Sequence, residues 1–264
     1  MEQARDLFQG AAEDYQRYRV PYPGEAFDWI VNEFRLDGRG RLLDGGCGTG
    51  QVTLPLARWF DEVVAIDPDQ DMLRIAERTA REAGVGNVRF LNTRAEDVPG
   101  TIAPLRLATF GASFHWTDRV AVANRLYDMI EPGGGLVALS PASFWNGREA
   151  WHQVVIETIR HWLGAERRAG SGTFKVGPLH QEHLAQTRFT DIKSVDIQKP
   201  HIWTADSIVG YLSSSSFASR AVLGKSWPAF EKDLRARLAK LSSEDRFAEE
   251  IEISIVSARK PLPA

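Results

Sequence analysis

The sequence predicts a doubly wound α/β fold: a mostly parallel sheet between helices, with an antiparallel edge strand and a helical cap. Two observations predict it. Between residues 41 and 140, short apolar runs alternate with stretches of helical periodicity, the pattern of parallel strands joined by right-handed crossovers. Beyond residue 140 the rhythm gives way to one long amphipathic stripe and two segments that alternate apolar and polar residues, as half-buried antiparallel strands do.

The elements follow in order. Tyr15, Tyr18 and Tyr22, beside Arg17 and Arg19, form a polar, aromatic arm, and Phe27, Ile30, Val31 and Phe34 mark the helix after it. Residues 41–44 read as a first strand running into the glycine cluster GGCGTG, with 52–59 as the helix beyond. Residues 62–67 form a second strand. Met72, Ile75, Ala76, Thr79, Ala80 and Ala83 then share one helical face, which Gly84 and Gly86 terminate. Strands three to five are 88–91, 105–110 and 136–139, with a helix over 120–130 and a turn at EPGGG. Trp151, Val154, Val155, Thr158, Ile159, Trp162 and Leu163 mark a cap helix, and the glycine-bearing stretch 165–178 a mobile connection. Helical segments near 206–212 and 228–241 separate two alternating strands, 189–203 and 251–258, placed to pair antiparallel at a sheet edge. The expected organisation is an N-terminal arm and helix (1–36), a cofactor-binding core (37–140), a cap or substrate insertion (141–190) and a C-terminal completion of the sheet (191–264).

Composition narrows the function classes. A chain of 264 residues, 43% hydrophobic and 25% charged, has the make-up of a globular protein with a full core. Thirty-two Lys and Arg against 35 Asp and Glu leave a net charge of −3, with no positive excess to neutralise a phosphate backbone, so nucleic acid is not expected as a partner. The single cysteine and the start MEQARDLFQG, which lacks the basic and apolar regions of a signal peptide, point to the cytoplasm. No run approaches the roughly 18 apolar residues of a membrane span. His180 and His183 lie three apart without a supporting cysteine or acid, so no metal is expected.

The chemistry concentrates at Asp44-Gly45-Gly46-Cys47-Gly48-Thr49-Gly50, between a strand and a helix. Glycines let the backbone turn sharply and approach a ligand closely, and the helix N-terminus beyond offers unpaired N–H groups. A plain tight turn uses glycine in the same way. A dinucleotide fingerprint requires G-x-G-x-x-G, and Gln51 stands one residue after the cluster, which disfavours a nicotinamide oxidoreductase. Asp67 closes the second strand, where a carboxylate accepts hydrogen bonds from both hydroxyls of a ribose or caps the helix that follows. Met72 suits an adenine face or the helix core. After the fourth strand come Ser113, Phe114, His115 and Trp116, at the carboxyl edge where open α/β sheets hold ligands. His115, with an ordinary imidazole pKa near neutrality, reads as a general base or as a histidine fixed structurally. Trp116 reads as a pocket wall or a plug.

The series LLDGGCGTG, AIDPDQDML, TRAEDVP, ASFHW and EPGGGLVAL resembles the class I S-adenosylmethionine-dependent methyltransferases, in the same order and over residues 10 to 140. YRVPYP and FHW resemble their small-molecule branch, which includes trans-aconitate methyltransferase-like proteins. The resemblance implies a Rossmann-like methyltransferase fold, S-adenosyl-L-methionine as cofactor and a small-molecule acceptor. Gly46, Gly48 and Gly50 would wrap the methionine portion, Asp67 would hold the ribose, and Ala95 with Glu96 would meet the adenine edge. Tyr15 and Arg19 would contact the cofactor carboxylate. Asp44, Gly45, Cys47, Pro68, Met72 and Ser113 complete the cofactor set; Tyr18, Tyr22, Trp116 and Trp145 form the acceptor set, with His115 catalytic. Relatives commonly carry an acid where this chain has Arg94, so backbone groups would meet the adenine amine here; their Arg-Pro pair is Arg19-Val20. An amino-group DNA methyltransferase would show an acidic or Asn-Pro-Pro-aromatic run where this chain has ASFHW. A catalytically silent cofactor-binding scaffold or sensor would carry the same signature.

Overall fold

The two kinds of periodicity meet in one seven-stranded sheet in the computed structural model, which describes residues 10–142, 144–166 and 179–263, with the backbone of 168–169 and 172–173. The first nine residues and, within the expected connection at 165–178, residues 167, 170–171 and 174–178 lie outside the described residues. In chain order the elements are α1 (Ala12–Tyr18), α2 (Gly24–Phe34), β1 (Arg41–Gly45), α3 (Thr53–Ala57), β2 (Glu62–Asp67), α4 (Gln70–Glu82), β3 (Val88–Asn92), β4 (Leu105–Gly111), α5 (Arg119–Met129) and β5 (Ile130–Pro141). Then come α6 (Ala150–Leu163), β6 (Arg168–Ala169), β7 (Gly172–Thr173), α7 (His180–Leu184), β8 (Thr190–Trp203), α8 (Ala205–Ser213), α9 (Arg220–Leu223), α10 (Trp227–Leu241) and β9 (Phe247–Arg259). The sheet order is β3-β2-β1-β4-β5-β9-β8, while β6 and β7 pair separately.

Strands β1 to β5 pair in parallel, and β9 runs antiparallel to β5. The central strands are buried on both faces, which is why Leu42, Leu43 and the run 63–66 are continuously apolar rather than alternating. One core cluster gathers Leu43, Val64, Ile66 and Phe110 from the sheet with Val122 and Leu126 of α5 and Leu184 of α7. Register brings the strand ends together: Asp44 lies beside both Ala65 and Thr109, Asp67 beside Asn92, and Gly111 beside Leu139. The carboxyl ends of β1, β2, β4 and β5 therefore share one edge.

Two expectations change in detail. The helix after the glycine loop is only Thr53–Ala57. EPGGG is not a turn before β5 but part of the strand; Gly133 adopts φ +83° and the β4–β5 register slips between Leu105 and Leu107, an irregularity that absorbs the glycines within the ladder.

The chain divides into two compact units, each built from separated segments. One comprises Pro21–Pro141, Gly177–Ile197 and Ile253–Ala264 and holds the parallel strands; the other comprises Met1–Val20, Ala142–Val176 and Gln198–Glu252. The second unit has its own aromatic core, including Phe144, Trp151, Trp203, Trp227, Phe230 and Phe247. The stripe on α6 belongs to that core: Trp151 is buried and its indole N–H donates to Ala248 O at 3.1 Å, and Trp162 donates to Asp233 at 3.1 Å. The aromatic run thus docks its own helix. Among the described residues, no helix is long and apolar enough to cross a membrane.

Candidate functional site

At the end of β1, Asp44 is fully buried and accepts hydroxyl hydrogen bonds from Thr53 (2.5 Å) and Thr109 (2.8 Å). Burial pushes its pKa up to about 6 against those two bonds, with the nearby Asp67 charge adding to the rise. Its oxygens tie β1 to β4 and to the start of α3, holding the loop from below. Above it the backbone is left-handed at Gly46, Gly48 and Gly50 (φ +63°, +54° and +90°), a conformation that costs an L side chain energy. Cys47 N–H donates to Ile66 O (2.9 Å), Gly50 N–H to Cys47 O (2.9 Å), and Ser113 Oγ to Gly45 O (2.5 Å). Two glycines are also small because of the protein itself: a Cβ on Gly45 would collide with the Phe110 ring, and one on Gly46 would lie 2.5 Å from Ser113 Cβ. Cys47 is buried, and burial with the charges of Asp67 and Asp44 pushes its thiol pKa up.

Asp67, 8% exposed, accepts Asp69 N–H on Oδ1 (2.8 Å) and Gly48 N–H on Oδ2 (2.9 Å). Each oxygen keeps a further lone pair. Burial raises its pKa to about 6 despite the two N–H bonds. The capping alternative is corrected: α4 begins at Gln70 and its cap is Asp69, which accepts from Asp71 N and Met72 N, so Asp67 is released from that role. Asn92, at the end of β3, fixes the Asp67 backbone through a 3.0 Å bond to its carbonyl. Pro68 is half-buried beside it and Met72 is buried on α4. Ala95 is buried in the main core; Glu96 pairs with Arg94 (3.3 Å) and accepts Asp118 N–H (3.3 Å).

Across the same edge, Ala112 takes a left-handed turn (φ +52°) and its N–H bonds Leu139 O at 2.8 Å, which launches the single turn Phe114–Trp116 from the end of β4. Phe114 packs on Phe110 with ring centres 4.9 Å apart, fixing the turn from beneath, while His115 and Trp116 lie 4.9 Å ring to ring above. The His115 ring retains exposed surface, yet desolvation by the protein around it pushes its pKa down to about 4, with Arg119 and, once it is itself protonated, His180 adding to the shift. This corrects the expectation of an imidazole titrating near neutrality: His115 is neutral at pH 7. Tyr22 packs over Gly111, where a Cβ would stand 3.2 Å from its hydroxyl.

Four expected residues belong to the other unit. Arg19 lies between the rings of Tyr15 (4.6 Å) and Tyr211 (4.5 Å) and donates to Ser214 O at 2.8 Å. Tyr18 packs on Gly210, its hydroxyl 3.3 Å from Asp206; Trp145 meets Phe217 edge-on. Thr53, Thr109, Asn92 and Asp69 were not anticipated. Thr53 sits in the first turn after the glycine loop, a local signal, whereas Thr109 and Asn92 become neighbours of Asp44 and Asp67 only through the strand order.

Residues 42–134 match the family model described as a methyltransferase domain. The chain carries a class I S-adenosylmethionine-dependent methyltransferase domain. The matched span holds the glycine loop, Asp67, the Ala95-Glu96 pair and His115. An uncharacterized methyltransferase of Mycobacterium tuberculosis is 26% identical over 211 residues, covering 80% of this chain and 76% of that one. A probable S-adenosylmethionine-dependent methyltransferase of Saccharomyces cerevisiae is 30% identical over 123 residues, 46% of this chain and 42% of that one. Among solved structures, a putative type II methyltransferase from Anaeromyxobacter dehalogenans aligns with a TM-score of 0.63 at 24% identity, over 93% of this chain and all of that one, a likeness of fold. The enzyme is an S-adenosylmethionine-dependent methyltransferase, and S-adenosylmethionine is its cofactor. The residues present fit that group. Asp67 keeps lone pairs for a ribose diol, the loop is left-handed at three glycines with Gly46 and Gly48 partly exposed, and Thr49 Oγ1 is buried there without a hydrogen-bond partner among the described residues.

Proposed function

We propose that this enzyme methylates a small-molecule acceptor through an oxygen or nitrogen nucleophile, within the small-molecule branch that resembles trans-aconitate methyltransferase-like proteins, and that it works in the cytoplasm without nucleic acid. The observation that carries the reading is the sharing of one sheet edge by the glycine loop with Asp67 and, across β4, by His115. Bound there, the cofactor supplies an electrophilic methyl group on a sulfonium leaving group. Gly46, Gly48 and Gly50 bring backbone against its methionine portion, Asp67 accepts from its ribose hydroxyls, and Ala95 with Glu96 border its adenine. His115, neutral at pH 7, accepts the proton that the nucleophile sheds as its bond to the methyl carbon forms and the carbon–sulfur bond breaks. Trp116 and Tyr22 border the acceptor.

Alignment supplies most of the acceleration in this chemistry. Nucleophile and methyl carbon held in line at roughly 3 to 3.5 Å turn a bimolecular encounter into a near-unimolecular one. The test pairs calorimetric titration of S-adenosylhomocysteine with a methyl-transfer assay over phenol, amine and carboxylic acid acceptors. Tight binding with turnover of at least one acceptor is expected. Binding without turnover on any of them would favour the silent scaffold; absence of binding would overturn the cofactor site.

A further inference from the structure

The β5 end of the same edge carries a pair that the methyl-transfer reading leaves unused. Ser140, second to last in β5, follows Leu139, the residue that anchors the His115 turn through Ala112 N–H. Its Oγ lies 3.2 Å from Nε2 of His180, the first residue of α7. The His180 ring rests on Phe114, with ring centres 5.4 Å apart, so one phenyl group supports both the His115 turn and His180. Ser140 is partly exposed, and Ser254, opposite it in the β5–β9 ladder, is a second partly exposed hydroxyl on the same face.

The protonation of this pair follows from what surrounds it. Burial lowers the His180 pKa to about 4, and the charges that bear on it are positive, Arg119 and His183; the ring is neutral at pH 7, with one N–H and one bare nitrogen. Nδ1 is buried and has no hydrogen-bond partner among the described residues. Buried N–H groups without acceptors are rarer than bare buried acceptors. The hydrogen therefore sits on Nε2 and is donated to Ser140 Oγ. A hydroxyl that already accepts one such bond has its own hydrogen left to give.

We propose that Ser140, oriented by His180, is a hydrogen-bond donor of the acceptor site and selects acceptors that carry an oxygen lone pair, such as a carbonyl, beside the group to be methylated. The proposal rests on the methyl-transfer reading above and deepens it. His180 acts through Ser140 as a positioning residue. Ser140 touches the acceptor, while His115 takes the proton. Division of labour of this kind separates binding from proton transfer: loss of the Ser140 hydroxyl raises KM for an oxygen-bearing acceptor and leaves the His115-dependent limb of the pH profile in place.

The experiment is long-range ¹H–¹⁵N NMR on the full chain labelled at histidine and saturated with S-adenosylhomocysteine, with His180 assigned by its disappearance in His180→Gln. At pH 7 a neutral ring protonated on Nε2 is expected. Titration with acetophenone should shift the His180 Nε2 signal, and ethylbenzene, the same skeleton without the carbonyl, should not. Ser140→Ala should abolish the acetophenone response and Ser140→Thr restore it, while affinity for S-adenosylhomocysteine changes less than twofold. A His180 protonated on Nδ1 or charged at pH 7, a parent signal unmoved by acetophenone, or an equal response in Ser140→Ala overturns the proposal. Failure of the parent protein to bind S-adenosylhomocysteine is a separate result, which removes the methyl-transfer reading and this proposal with it.

Discussion

Burial acts with opposite consequences at the two halves of one sheet edge. At the ends of β1 and β2 the buried titratable groups are carboxyls, Asp44 and Asp67, and both are pushed up to about 6. Around the ends of β4 and β5 the titratable groups are imidazoles, His115, which keeps exposed surface, and the part-buried His180, and the surrounding protein pushes both down to about 4. Each shift moves the group toward neutrality, because low-dielectric surroundings disfavour whichever form is charged. The carboxyl half compensates with hydroxyl and N–H donors, which keep Asp67 ionised at pH 7. Among the described residues, no carboxylate is among the charges bearing on the histidines of the imidazole half, so each ring stays neutral at pH 7, with one N–H and one bare nitrogen. One half thus carries negative charge at pH 7, and the other carries neutral imidazoles.

The sharpest way to break the contrast is to destroy one half alone. Gly46→Val places a branched side chain at φ +63° and against Ser113. It should weaken S-adenosylhomocysteine binding about a hundredfold or more by calorimetry, since left-handed strain and overpacking each cost roughly 1–3 kcal/mol. His115→Ala tests the other half. Turnover should fall roughly a hundredfold, in the range of lost general base catalysis, with cofactor affinity unchanged; a variant as fast as the parent would make His115 structural. Asp67→Ala should weaken cofactor binding by about 1–3 kcal/mol through lost hydrogen bonds to ribose, and titration of the variant measures it.

pH separates the halves without mutation. Cofactor affinity should fall about tenfold between pH 7.5 and pH 5, as Asp67 takes a proton near 6, whereas the acid limb of kcat should appear nearer 4, where His115 charges. A kcat limb at the ordinary histidine value would erase the contrast. Stability carries the same opposition. The folded-state carboxyls bind protons more tightly than the unfolded chain does, so acidification from about 6 toward 4 favours the fold through Asp44 and Asp67. The depressed histidines act the other way, and their contribution is lost as pH falls from about 6.5 to 4. The smallest effect expected is that of Glu96→Ala. Its pairing with Arg94 is partly exposed, so cofactor affinity should change by about 0.5 kcal/mol, detectable in the same titration.

The legible part of this molecule was local. The strand, loop and helix around GGCGTG, the second strand closing on Asp67, and the turn carrying His115 could be read because glycine spacing and apolar periodicity act over neighbouring residues. Sheet order was implied only in outline, and with it went Thr109 and Asn92, whose partners lie 65 and 25 residues away. The depressed pKa of His115 was illegible for the same reason: it comes first from the protein packed around the ring and only then from His180 and Arg119, and that packing is set by the fold. Asp69 was overshadowed by Asp67, since two acids stand where one cap is needed and only geometry assigns the cap. EPGGG read as a turn because its composition is that of a turn, while the ladder on both sides of β5 overrode local preference.

The position of β9 bears on synthesis. This strand comes after every other in the chain, yet it fills the gap between β5 and β8. While a ribosome is still elongating the polypeptide, β5 therefore emerges as a bare border and β8 has no neighbour on which to zip. Exposed strand borders of that kind invite pairing with other chains, so the nascent protein is most vulnerable to aggregation in the interval before residues 247–259 arrive.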